Sequence, residues 1–310
     1  MYENLPLEFQ NIVERAKKVK KPLRVAIAGA DAENILAGAF DAQDAGFAEP
    51  VLIGNYKKIH AMLERLGFEG RDCDIQPITN DVNPVQYAIE MVRAGGADVL
   101  VRGNTQTRDF LLPVLNKANH LVQEDRLITH INLMRFDGYD KMLAVSDCTL
   151  LVEPSMEQRK EVVRNMAETL QFFGVEKPNI ALLSLVEKPS FHMRDTVEAQ
   201  TIIMDHQEEP IANCNLVGPI TYDLIVSKEA ARLKNYDCEF CGEFDGIVVP
   251  SLLAGNLICK LLDIHQHATG CCVLYGASVP IAINGRSESR EQAFLSLAAC
   301  IAMAQEKMGK

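Results

Sequence analysis

The sequence predicts an α/β protein of two domains, with mainly parallel sheets covered by helices. Three observations lead there. Short runs rich in Val, Ile and Leu alternate with amphipathic stretches along the whole chain, as strands buried on both faces alternate with the helices that cover them. Most runs end in Gly, Pro or Asn, residues that close strands. The length, 310 residues, suits two domains of ordinary size, each able to bury a core.

Taken in order, strands are expected at 24–30 (RVAIAGA), 49–55 (EPVLIGN), 97–103 (ADVLVRG), 128–134 (ITHINLM), 179–185 (NIALLSL), 244–250 (FDGIVVP) and 271–277 (CCVLYGA). Helices fit between them. Asn83 followed by Pro84 reads as an N-cap and a first helical position, with the pattern running to Gly95. A helix from about Thr107 to Lys117 follows the third strand. The stretch 157–173 is charged on one face and closed by Gly174. In the last helix, about 289–307, Phe294, Leu297, Ala298 and Ile301 fall at i, i+3, i+4, i+7, so one face must pack on a core. No Gly- or Pro-rich linker and no repeat period of 20 to 50 residues interrupts this order, which disfavours a solenoid.

Composition excludes several classes. At 48% apolar the chain is too hydrophobic for intrinsic disorder. A formal net charge of −11 argues against a nucleic-acid partner, because phosphate contacts need a basic face. No run of 18 apolar residues occurs and the N-terminus lacks a signal-peptide core, so a soluble, cytoplasmic protein without membrane contact is expected. The nine cysteines are an odd number in a chain large enough to need no staples, and thiols are expected. Cys238 and Cys241 form a CxxC, but no second CxxC or suitably spaced His pair follows, and incidental thiols are favoured over a metal or redox site. Cys271 and Cys272 sit in an apolar run and read as buried strand residues.

In open α/β sheets ligands sit beyond the carboxyl ends of the strands. Neither GxGxxG nor GxxxxGK[ST] is found there, so the standard dinucleotide and Walker-type sites are absent. Arg102-Gly103-Asn104-Thr105-Gln106-Thr107 instead links a strand to a helix. Gly permits a tight turn, Asn and Thr supply donors, and the helix start offers free N–H groups. Both an anion site and an ordinary N-capped turn fit these residues. A second constellation runs from Val279 to Ser289, where Arg286 and Ser287 could bind an oxyanion. Glu288 there could simply be an acid favoured by the helix dipole. The third is Asp245 at a strand start together with Ala254-Gly255-Asn256, in which Gly and Asn weaken a helix and so imply close packing or a ligand contact.

On the stretches 102–117, 138–140, 217–231, 245–260 and 276–286, the chain resembles the phosphate acetyl/butyryltransferase family, phosphate butyryltransferases above all. The resemblance implies reversible transfer of a short acyl group, butyryl-type in class, between coenzyme A and inorganic phosphate. Acyl-CoA, phosphate and acyl phosphate would be the partners. No metal or cofactor would take part, since coenzyme A is a substrate. It also implies an isocitrate/isopropylmalate dehydrogenase-like fold, with residues 1–142 plus 284–310 as the first domain. Residues 143–283 would form the second domain and the contact of a homodimer.

Carried over by position, Gly103, Asn104, Thr105 and Thr107 would border the phosphate, Arg286 would hold it, and Asp245 and Asn256 would line the coenzyme A cleft. Two departures stand out: Gly285 where the family commonly has Ser, and Leu112 where it commonly has Arg. Asn284 and Arg108 are candidate substitutes. In the implied mechanism the thiolate attacks an acyl phosphate. Glu288, or next Glu291, would act as base, unless each is only a solvated first-turn acid. Arg286, Ser287 and the 103–107 amides would meet the developing charge. With acids in excess, positive potential must gather near Arg286, Arg108, Lys117 and Thr107. Two alternatives remain open. A metal-dependent decarboxylating dehydrogenase would have to rely on Asp140 and Asp147, a poor ligand pair, and a family member could bind without turning over.

Overall fold

A computed structural model describes residues 2, 4–79, 81–123, 126–285 and 287–309. Its helices and strands are, in chain order, α1 (Leu7–Ala16), β1 (Leu23–Ala28), α2 (Glu33–Asp44), β2 (Ala48–Gly54), α3 (Tyr56–Leu66), β3 (Asp74–Pro77), α4 (Pro84–Arg93), β4 (Val99–Arg102) and α5 (Thr107–Leu115). There follow β5 (Thr129–Arg135), β6 (Leu143–Ser146), α6 (Met156–Phe172), β7 (Asn179–Leu183), α7 (Arg194–Glu208), β8 (Asn215–Ile220), α8 (Tyr222–Val226), α9 (Lys228–Lys234), β9 (Gly246–Val248) and α10 (Leu252–Gln266). The chain closes with β10 (Thr269–Tyr275), β11 (Ile281–Ala282) and α11 (Arg290–Gly309).

Two compact units result, Met1–Ile128 with Gly270–Lys310, and Thr129–Thr269. Both exchanges fall earlier in the chain than the expected 142 and 284. Pairing accounts for the difference. β5 runs antiparallel to β6 and stays with the second unit, while β10 runs antiparallel to β11 and stays with the first.

In the first unit the strand order is β3-β2-β1-β4-β11-β10, parallel except for the last pair. Val25, Ile27, Leu52, Val99 and Leu100 are fully buried, as strands covered on both faces require. Asn83 caps α4 by accepting from Val85 N at 2.8 Å, and Pro84 opens the helix, as the sequence indicates. The last helix, α11, packs on α2. There Gly38 carries no Cβ because one would lie 2.8 Å from both Ala293 Cβ and Phe294 N. Arg290 adds a two-point ion pair to the buried Asp41, 2.5 Å from each oxygen.

In the second unit the order is β5-β6-β9-β7-β8, with only β5 and β6 antiparallel. Ser155 and Gln158 form a capping box at the start of α6. Gly246 leaves the space that the Met166 thioether of α6 fills. Among the described residues no helix is long and apolar enough to cross a membrane.

Candidate active site

Three parallel neighbours, β1, β4 and β11, carry the candidate site of the first unit. Their registers align Ala28 with Arg102 and Ala282 with Val101. The loops that leave their carboxyl ends therefore start side by side. Gly29, at φ +79°, turns the first loop. The second loop lies backbone to backbone against it: Gly103 N donates to Ala28 O at 3.0 Å and Asn104 N to Gly29 O at 2.7 Å. Any Cβ on Gly103 would overlap Gly29 O and stand 2.8 Å from Ala28 O. Glycine is thus required at 103 by close approach, at a position where backbone N–H groups gather.

Beyond the turn, α5 begins at Thr107 with Gln106 as N-cap, whose side chain makes no capping bond. Its first-turn N–H groups are left for a ligand. Thr105 Oγ1 is buried without a partner among the described residues. Asn104 is exposed and Thr105 and Thr107 half-buried, so these three expected residues share one loop surface above the buried Gly103.

The third loop is tied to this one by a residue the sequence reading quoted but gave no role. Arg102 is 4% exposed. Its Nε and Nη2 donate to Thr105 O at 3.1 and 2.8 Å, and its Nη1 donates to Asn284 O at 3.2 Å. Asn284, also buried, donates through Nδ2 to Glu288 Oε2 at 2.8 Å, to Ser296 Oγ at 3.0 Å and to Gln292 O at 3.3 Å. Asn34 of α2 holds the Glu288 carbonyl at 2.7 Å. The remaining atom of the Asn284 amide, Oδ1, is an acceptor, so Asn284 orders the Glu288 carboxylate and does not replace a lost anion donor. A Cβ at Gly285 would lie 2.8 Å from Glu288 Oε1. The carboxylate thus fills the space a side chain at 285 would take. Ser287 is exposed and Glu288 half-buried, and the Arg286 expectation lies outside the described residues.

Between the starts of α4 and α5 opens a cavity of about 470 Å³, lined by Asp81, Asn83, Asn104, Thr105, Gln106 and Asp109 among others. Its size falls in the range of small-molecule sites. Two carboxylates in the lining mean that the positive potential expected nearby does not come from this wall. Nor does Lys117 supply it. That residue lies two positions past Leu115, the end of α5, and the eight residue steps of the helix from Thr107 already span about 12 Å at 1.5 Å per residue. Arg108 is exposed on the first turn, and Leu112 is 58% exposed on the same helix.

In the second unit, Asp245 and Asn256 stand apart from each other. Asp245 precedes β9, at the amino end of the sheet, with Oδ1 2.6 Å from Lys141 Nζ and Oδ2 accepting from Asn179 N at 2.8 Å. Both oxygens hold the fold, and this replaces the cleft role expected of Asp245. The Ala-Gly-Asn segment is explained by close packing: a Cβ at Gly255 would lie 2.6 Å from Asp147 O, and Asn256 Nδ2 donates to Cys148 O at 3.4 Å. Asp147 accepts from Thr149 N, Leu150 N and His130 N at 2.6–2.7 Å. That commitment to backbone amides removes it from the metal-ligand pair the dehydrogenase alternative would need. Among the described residues no group of three or more His, Cys, Asp or Glu is arranged to hold a metal.

All nine cysteines are free thiols. Burial pushes Cys214 up to about 11, and burial with the neighbouring Cys238 pushes Cys241 up to about 12. Burial likewise raises Cys271, Cys272 and Cys300. Buried protonated thiols are poor nucleophiles.

A glycine turn, an open helix start and an ordered carboxylate gather at the ends of parallel strands, an arrangement that suits an anion-handling α/β enzyme. Its relatives make the class specific. A family model described as phosphate acetyl/butaryl transferase matches residues 70–302, and the chain belongs to that family. The phosphate butyryltransferase of Clostridium acetobutylicum is 27% identical over 299 residues, covering 96% of this chain and 99% of that protein. A branched-chain phosphotransacylase structure from Enterococcus faecalis superposes with a TM-score of 0.77 at 24% identity, covering 91% of this chain and 99% of that one. A 4-hydroxythreonine-4-phosphate dehydrogenase from Klebsiella pneumoniae shares the fold at a TM-score of 0.56 and 10% identity, over 92% of this chain and 100% of that one. The expected α/β fold, common to phosphotransacylases and dehydrogenases, is the fold observed.

Proposed function

We propose that this protein moves a short acyl group between coenzyme A and inorganic phosphate, so that acyl-CoA and phosphate give acyl phosphate and free coenzyme A. The observation that carries the reading is the joining of the 103–107 loop to the Asn284 turn by the Arg102 guanidinium. That link supports reading the two segments as parts of one site. In the reverse direction, which consumes acyl phosphate, the thiol sulfur of coenzyme A attacks the carbonyl carbon, a C–S bond forms, the C–O bond to phosphate breaks, and phosphate leaves with the electron pair. The thiol proton passes to Glu288 Oε, which Asn284 orders. A free thiol near pKa 8.5 is only a few per cent ionised at neutral pH, so a positioned base accelerates the step.

Charge developing on the carbonyl oxygen and on phosphate is met by Arg286, Ser287 and the amides at the start of α5. No metal or cofactor enters these steps. Butyryl-type acyl groups are the proposed substrates, and the proposed compartment is the cytoplasm. A homodimer is proposed through the second unit. Its support is a stripe on α10 formed by Leu253, Leu257, Leu261 and Ile264, which are 47–77% exposed and spaced to lie on one helix face. The test is phosphate-dependent release of thiol from acetyl-, propionyl-, butyryl- and branched acyl-CoA, with coenzyme A and acyl phosphate formed in equal amounts. Absence of release across the panel would reject the reading.

A further inference from the structure

We infer that Arg102 is a positioning residue of this site: it sets the distance between the phosphate-facing loop and the carboxylate-bearing turn, and charges that region from beneath without touching substrate. The inference rests on the acyl-transfer reading above.

Desolvating a guanidinium is costly unless its donors are satisfied, yet Arg102 is 4% exposed. Three of its donor atoms go to carbonyl oxygens of two different loops: Nε and Nη2 to Thr105 O, and Nη1 to Asn284 O. The guanidinium is planar and rigid, so two carbonyls bound to its edges are fixed relative to one another. Lysine carries one compact ammonium on a flexible stem and cannot reproduce the fork. What Arg102 holds on one side is the residue two places before Thr107, where the open end of α5 begins. On the other side it holds the backbone of Asn284, whose side chain orders Glu288. Arg102 therefore acts through both partners of the reaction at once. A full positive charge held out of water under the loop also attracts an anion more strongly than an exposed one. It supplies the local potential that neither Lys117 nor the carboxylate-lined cavity provides.

Arg102→Lys keeps the charge and loses the fork, whereas Arg102→Met loses both. In the thiol-release assay, Arg102→Lys should lower kcat by about tenfold or more, because loop displacements near 1 Å carry penalties on that scale. KM for acyl-CoA should stay within about twofold. Arg102→Met should in addition raise KM for phosphate by about fivefold or more over Arg102→Lys, for want of the buried charge. Amide hydrogen exchange supplies the second readout. In Arg102→Lys, segments 103–107 and 284–288 should both exchange faster, and in the unmodified protein added inorganic phosphate should slow both with one midpoint. The unmodified protein answers even where a variant fails to fold. Unchanged kcat in Arg102→Lys, or a phosphate response confined to one segment, would overturn the inference. An unmodified protein that releases no thiol rejects the acyl-transfer reading instead, and the joint exchange response then decides the positioning role alone.

Discussion

Replacing Gly103 by Ala tests the packing of the loop most sharply, because the obstruction is backbone and cannot rotate away. The added methyl would overlap Gly29 O and lie 2.7 Å from Gly29 C and 2.8 Å from Ala28 O. Relief requires the loop to withdraw by about 1 Å, since carbon rarely comes closer than about 3.5 Å to its neighbours at optimal contact. That movement breaks or stretches the bonds from Gly103 N to Ala28 O and from Asn104 N to Gly29 O. At about 1 kcal/mol each, the loss is about 2 kcal/mol of stability in the first unit. The effect on turnover is larger, because misplacing a binding loop by about 1 Å costs about 10²-fold. The assay is the initial rate of phosphate-dependent thiol release. Gly70→Ala serves as control, for a Cβ there meets nothing within 4 Å. If Gly103→Ala kept kcat/KM within about threefold of the unmodified protein, the loop could not be the rigid element described.

Arg286→Ala should lower kcat/KM by about 10²-fold or more, the scale for losing one donor to developing charge; a value within about twofold rejects its role. Glu288→Gln keeps the shape and loses the basicity, and should lower kcat by about 10²-fold or more, whereas an unchanged kcat removes Glu288 as the base. Thiol burial sets an alkaline limit. Below the ordinary thiol pKa of 9.0 both states hold their protons, but above it the unfolded chain ionises while Cys214 and Cys241 stay protonated to about 11 and about 12. Stability should therefore fall as pH rises from 9.0 toward those values, measured as a declining Tm with the native thiols slow to react with a disulfide reagent; a Tm constant up to pH 11 contradicts it. If the protein forms the proposed dimer, Leu257→Glu should leave a monomer in sedimentation, and a dimer of unchanged affinity would place the contact elsewhere.

Sequence pattern reveals the central strands because burial on both faces leaves a readable apolar run, as in RVAIAGA and ADVLVRG. The strands it does not reveal are those that lack such a run. β3 and β8 lie at the ends of their strand orders, and their residues, Asp-Ile-Gln-Pro and Asn-Leu-Val-Gly-Pro-Ile, half-buried apart from the exposed Pro77 and the buried Pro219 and Ile220, carry the Pro and polar groups that edge strands tolerate. At the site, the turn at Gly103 and the helix start at Thr107 are legible because local geometry demands those residue types. Gly29 and Arg102 are not, since their importance lies in contacts between loops far apart in sequence. The one trace of Arg102 is a charged residue closing a strand, Val-Leu-Val-Arg, that is buried throughout. Asp245 misleads for the opposite reason: a buried acid at a strand start looks functional until Lys141 and Asn179 are found against it.

Acyl transfer to phosphate is tested most directly by a coupled determination of free thiol and acyl phosphate from butyryl-CoA, with and without inorganic phosphate. Equal amounts of coenzyme A and butyryl phosphate are expected, formed only when phosphate is present and undiminished by EDTA. Thiol release that is independent of phosphate, or no release from any acyl-CoA, would contradict it.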